Sequence, residues 1–189
     1  MSDDIVLAFS GASGAGYGLE LLKALKENGS SVHLIVNRTS QSIMRSECRA
    51  TEVELSRSAS EIVDASVMDH SLASGSNPFS AMVICPCSAS TASKIALGIA
   101  DNLTTRVAAV ALKERRKLIL VIRETPLSTP VLRNLAELSS YGAIVMPASP
   151  PFYGEGSTVK DLQRAIAGRV MDLLGMENDL APRYGSAEE

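Results

Sequence analysis

Apolar residues run along this chain in short unbroken stretches, separated by longer segments in which they recur every three or four positions. Ile5 to Ser10, Val32 to Val36, Ala81 to Cys85, Leu118 to Ile122 and Ala143 to Met146 are stretches of the first kind. Such runs, bounded by glycine, proline or charged residues, predict strands buried on both faces. Between the first two, Leu19, Leu22 and Leu25 fall on one side of a predicted helix, with Lys23 and Lys26 towards solvent and a stop near Asn28-Gly29. Ser40 to Cys48 predicts another helix, and Ser58 to Val63 starts a further short one. A long helical stretch after Pro86 is broken near Gly98. Thr104 to Arg115, Ser128 to Ser140 and Thr158 to Leu174 complete the helices. Strands alternating with helices predict an α/β fold with a mostly parallel sheet covered on both faces. One domain over residues 1–176 is expected, with a polar tail over 177–189.

Composition narrows the class without changing this picture. The chain has 189 residues, 46% of them hydrophobic and 21% charged, which suits a single globular core. A formal net charge of -3 argues against a broad electropositive face for nucleic acid. The opening MSDDIVLAFS has neither a basic start nor a long apolar region, so no secretion signal is expected. No apolar run is long enough to span a membrane. Three cysteines, Cys48, Cys85 and Cys87, without framework spacing fit a reducing, cytoplasmic setting. The histidines, His33 and His70, lack any metal-site spacing, and no metal is expected.

In open parallel sheets ligands bind beyond the carboxyl ends of the strands. Gly11 to Gly18 (GASGAGYG) follows the first predicted strand, Asn37-Arg38 the second, Pro86 to Thr91 the third, and Arg123-Glu124-Thr125-Pro126 the fourth. All are polar or glycine-rich where the strands themselves are apolar. Gly11 and Gly14 allow a tight turn and close approach to a ligand, and Ser13 with the free amides of the following helix suits a phosphate. The run is neither G-x-G-x-x-G nor G-x-x-x-x-G-K-[ST], and Asn37 stands where an NAD site would place an acid. A mononucleotide fits better. Ser88 and Ser90 read equally as helix caps or as ligand contacts. Cys85 and Cys87 read as small core residues.

Charged positions divide in the same way. Arg106 and Lys113 share a helix face two turns apart. Glu114, Arg115, Arg116 and Lys117 close that helix, where cations simply offset its dipole. Arg106, in the first turn, escapes that explanation. Arg123 and Glu124 end a buried strand, where an unpaired buried charge would be costly. Tyr153 lies in Pro150-Pro151-Phe152-Tyr153-Gly154, and Arg169, on the last helix, reads alone as a surface residue.

Taken together, GASGAGYG, PCSAST, DNLTTRVAAVALKERRKLILVIRETPL and PPFYGEGS resemble the signature segments of the UbiX-type flavin prenyltransferases, in order from about Ile5 to Arg169. The spacing of LKERR and RETPL is specific to that family. The resemblance implies a Rossmann-like flavoprotein fold, a three-layer sandwich assembled as a homododecamer. It implies attachment of a dimethylallyl group, from dimethylallyl phosphate, to reduced FMN, the product serving a UbiD-type decarboxylase. By position it implies FMN contacts from Gly11, Ala12, Ser13, Asn37, Ser88, Ala89, Ser90, Thr91 and Arg123. It further implies a phosphate clamp of Arg106, Lys113, Tyr153 and Arg169, partly from neighbouring subunits. Glu47 matches a carboxylate near flavin and prenyl group, and Glu124 one near the substrate phosphate. Ser13 and Glu47 are implied in moving a proton from flavin N5, with Lys113 and Glu124 as the other catalytic groups.

Two departures stand out. Asn37 replaces a frequent serine, and the chain has no Trp to cover the site near its end, a place Tyr184 takes. Rival readings are a flavin-dependent cysteine decarboxylase of the same fold, for which a catalytic histidine is wanting, and a non-catalytic FMN-binding companion subunit.

Overall fold

The five apolar runs form strands of one sheet, joined at its edge by a sixth strand that the pattern did not reveal. The computed structural model describes residues 4–152 and 158–180. In chain order the elements are β1 (Asp4–Ala8), α1 (Ala15–Glu27), β2 (Ser31–Val36), α2 (Arg38–Cys48), α3 (Glu52–Ser58) and β3 (Glu61–Asp64). A short 3-10 turn at Ser71–Ala73 precedes β4 (Ala81–Cys87), α4 (Ala89–Ala96), α5 (Leu103–Lys113) and β5 (Lys117–Ile122). Helix α6 (Thr129–Ser140), β6 (Ile144–Pro147) and α7 (Val159–Leu174) follow.

The strand order is β3-β2-β1-β4-β5-β6, and every neighbouring pair is parallel. The chain winds outward from β1 to one edge, then returns to β4 and winds to the other. Its topological switch point therefore lies between β1 and β4, the place where doubly wound sheets open a ligand crevice.

Because the central strands β1, β2, β4 and β5 are almost wholly apolar, both faces of the sheet's centre are dry, while the edge strands β3 and β6 are partly exposed. On one face Val6, Met82, Ile84, Leu118 and Leu120 pack with Val107 and Ala111 of α5 and Leu138 of α6. On the other Leu7, Leu34, Val83 and Ile119 pack with Leu21 and Leu25 of α1 and Ile166 and Val170 of α7. Helix α1 lies unusually close: a methyl group on Gly18 would collide with the Cys85 carbonyl and the Phe9 ring. This is a three-layer α/β sandwich.

Two local expectations are corrected. Ser58 to Val63 does not open a helix. Thr51 and Glu54 form a capping box that starts α3 earlier, at Glu52, and Glu61–Asp64 pairs with β2 as edge strand β3. Strand β4 does not stop at Pro86; it runs on to Cys87, with a register shift against β5 between Ile84 and Cys87. Proline has no amide to give the ladder, and an irregularity in pairing is where a strand tolerates that lack. Just beyond α7 the Asn178 amide donates to Asp172 Oδ1 at 3.0 Å, and Leu180 packs on the α1–α7 core. Tyr153 and Tyr184 lie outside the described residues. Among the described residues no helix is long and apolar enough to cross a membrane.

Candidate functional site

The loops that follow β1, β2, β4 and β5 converge at the carboxyl edge, beside the switch point. Gly14 N-caps α1 with φ of 94°, a left-handed conformation that a side chain resists. A methyl group on Gly14 would press on the Tyr17 ring and approach Arg123 Cγ, and one on Gly11 would crowd the Thr39 side chain. The two glycines thus keep a backbone cradle open. Asn37 caps α2: its Oδ1 accepts from the Ser40 amide at 2.8 Å while Ser40 Oγ accepts from the Asn37 amide at 2.9 Å. Ser88 caps α4, its Oγ accepting from the Thr91 amide at 3.2 Å and donating to Thr91 Oγ1 at 2.9 Å. Ser90 Oγ lies 3.2 Å from the same hydroxyl. Ser88 and Asn37 are therefore caps, and both caps stand at the crevice.

Glu47 ties two of these elements together. From the last turn of α2 its Oε2 accepts from the Gly14 amide at 2.8 Å and the Ala15 amide at 3.0 Å. Burial works to raise its pKa, but the Ser13 hydroxyl, the amides of Ala15 and Gly14 and the nearby Arg123 charge outweigh it. They hold the carboxyl below the usual range. The positive end of α1, expected to attract a phosphate, already carries an anion of the protein's own. Its fixed neighbour is Ser13.

Arg123 reaches the edge but is exposed rather than buried, contrary to the reasoning from its strand position. Its amide donates to the Cys87 carbonyl at 3.1 Å, which sets the β5 loop against the β4 loop. Glu124 is also exposed and turns its Oε1 onto the Thr125 amide at 3.2 Å.

Lys113 is not brought to this edge by its own chain. Lys113 closes α5 four residues before β5 begins, and β5 then spans its six residues, about 20 Å at the rise of a strand, before Arg123. It is exposed and pairs with Glu114 at 2.6 Å. Arg106 is exposed and donates from Nε to the Ala73 carbonyl at 3.0 Å. Arg169 on α7 is 64% exposed and pairs weakly with Asp172 at 3.5 Å.

The remaining sequence candidates take structural places. Cys85 and Cys87 are fully buried, and burial pushes both thiols up, Cys87 to about 12, so neither is a thiolate at neutral pH. His33 and His70 both bind Glu61, at 3.0 and 3.2 Å, where the edge strand begins. Neither stands among the crevice loops. One contributor escaped the sequence reading. Ser10, 3% exposed, links the β1 and β4 loops. The signal for it was present: a hydroxyl closing an otherwise apolar run.

A glycine cradle, a row of hydroxyls and an exposed guanidinium at the switch point suit a phosphorylated, flat, hydrogen-bonding ligand such as FMN. The class this edge defines is that of the flavoproteins, and the chain belongs to the flavoprotein family, whose model matches residues 2–171. Within it, the chain is a member of the UbiX-type flavin prenyltransferase group. The flavin prenyltransferase UbiX of Methanothermobacter thermautotrophicus is 47% identical over 180 residues, covering 95% of this chain and 94% of its own. Among solved structures, AnUbiX in complex with FMN and dimethylallyl pyrophosphate superposes with a TM-score of 0.95 at 34% identity, over 100% of both chains. A dodecameric FMN-dependent UbiX-like decarboxylase from Escherichia coli O157:H7 superposes at 0.93 and 34% identity, over 97% of this chain and 100% of its own.

Proposed function

We propose that this chain is a flavin prenyltransferase: it transfers a dimethylallyl group from dimethylallyl phosphate to N5 and C6 of reduced FMN. The observation that carries the reading is the pairing at the switch point of a glycine and hydroxyl cradle with Glu47, locked beside Ser13 by two backbone amides. The close relatives and the FMN and prenyl diphosphate held by AnUbiX support it. Residues 1–176 form the working domain.

Gly11, Ala12, Ser13 and Asn37, with Ser88 to Thr91 and Arg123, hold FMN, which when bound and reduced supplies the nucleophilic ring nitrogen. Ser13, hydrogen-bonded to Glu47, passes a proton from the flavin N5 position to Glu47, which is ionised before the transfer. Lys113, Arg106 and Arg169, with Tyr153, hold the prenyl phosphate and stabilise the departing anion. Arginine does so through a two-pronged fork, lysine as a point charge. Glu124 shares the phosphate proton or orients Arg123. Side chains thus supply the positive charge that a metal ion supplies elsewhere. Since Lys113 is exposed a strand's length from the loops of its own chain, and Arg169 is exposed on α7, both serve the crevice of a neighbouring copy. The dodecameric relative supports that arrangement. The product goes to a UbiD-type decarboxylase in the cytoplasm.

The test is anaerobic incubation with reduced FMN and dimethylallyl phosphate, followed by mass spectrometry of the released flavin. A flavin heavier by one dimethylallyl unit is expected; unchanged FMN contradicts the proposal.

A further inference from the structure

Beyond β1 the apolar run continues through Phe9 and closes at Ser10 on a buried hydroxyl. Ser10 is 3% exposed. Its Oγ donates to the Pro86 carbonyl at 2.8 Å and accepts from the Ser88 amide at 2.7 Å. Its own amide donates to the same Pro86 carbonyl at 3.2 Å. One residue therefore makes three bonds across the switch point, two to the end of β4 and one to the residue after it.

Each partner of Ser10 leads directly to the crevice. Gly11, the next residue, opens the cradle. Ser88, held by its amide, carries the hydroxyl that caps α4 and contacts Ser90 and Thr91. Between Pro86 and Ser88, the Cys87 carbonyl accepts from the Arg123 amide. Ser10 is thus a side chain that joins the β1 loop to the end of β4.

We propose that Ser10 is a positioning residue for flavin binding, fixing the spacing between the Gly11–Ser13 cradle and the Ser88–Thr91 hydroxyls. It touches no ligand itself. The inference rests on the reading of this crevice as the FMN site. Alanine at this position removes one acceptor and one donor, leaving the Ser88 amide and one bond of the Pro86 carbonyl unmet in a buried place. The strand below is unaffected, since β1 pairs with β2 and β4 through backbone at Asp4 to Ala8. Threonine keeps the hydroxyl; cysteine keeps the size but bonds weakly.

The experiment measures FMN affinity by quenching of flavin fluorescence, with no turnover involved, for the parent and for Ser10→Ala, Ser10→Thr and Ser10→Cys. Ser10→Ala should weaken FMN binding about ten-fold, and Ser10→Thr should stay within two-fold of the parent. In steady state the KM for FMN should rise in Ser10→Ala while the KM for dimethylallyl phosphate holds. Ser10→Ala binding FMN like the parent, or Ser10→Thr binding as weakly as Ser10→Ala, overturns the proposal. If Ser10→Ala does not fold, the comparison passes to Ser10→Cys against Ser10→Thr: weaker binding by the cysteine variant supports it, and equal binding overturns it. A parent protein that binds no FMN would refute the reading of the crevice instead.

Discussion

Glu47 shows how a single side chain links stability to chemistry. Its carboxylate accepts two amides at the start of α1 and the Ser13 hydroxyl, so the folded state favours its charged form. A carboxyl whose folded pKa lies below its unfolded value adds stability above the unfolded pKa and loses it as pH falls through the folded one. Glu47→Gln should therefore lower Tm at pH 7 by about 2–4 °C. That corresponds to ~1 kcal/mol in a domain of this size, after discounting for the exposure of the side chain. Thermal melts in a pH series should show the gap closing below about pH 4. A gap that persists in acid would mean that shape, not charge, matters at this position. Lys113 makes the opposite case, since it is exposed and pairs with the adjacent Glu114. Lys113→Ala should leave melting and FMN affinity unchanged while lowering kcat about 100-fold or more, and full turnover would remove it from the clamp.

At the scale of elements, α1 sets the crevice by lying close on the sheet. Gly18→Ala places a methyl group against the Cys85 carbonyl and Phe9 ring, and overpacking of this kind costs about 1–3 kcal/mol. A Tm lowered by roughly 2–12 °C is expected in melts, with FMN binding weakened in parallel; a parent-like melt would show that α1 can shift freely. The elements also show what the sequence made legible. Unbroken apolar runs located the four central strands because burial on both faces leaves no alternative composition, and they also located the partly exposed edge strand β6. The sixth, β3, is an edge strand with the pattern Glu61-Ile62-Val63-Asp64, too short and too polar at its ends to read as buried. Its neighbour α3 carried a readable sign in Thr51 and Glu54, which marks the helix start that Ser58 was thought to give. Pro86 misled in the other direction, since it ends a strand only where the ladder needs its amide.

Across the whole molecule, the flavin-cradle residues were legible because they follow strands in sequence and strand ends share one edge. The clamp was legible only by family resemblance. Arg106, Lys113 and Arg169 lie on helix exteriors, and no spacing rule tells which copy of a chain they serve. That division makes a prediction for the assembly. Glu47→Gln and Lys113→Ala, each impaired alone, should recover activity when unfolded and refolded together, because some crevices then combine an intact cradle with an intact neighbouring lysine. Activity no higher than the average of the separate variants would place both groups in one chain's site.

The central claim is that a prenyl group leaves phosphate and joins a flavin held at this edge. It is tested most directly by counting both products in one anaerobic reaction containing a chelator, with reduced FMN and dimethylallyl phosphate supplied. The account predicts one inorganic phosphate for each flavin that gains a dimethylallyl unit; phosphate released while the flavin stays unmodified would contradict it.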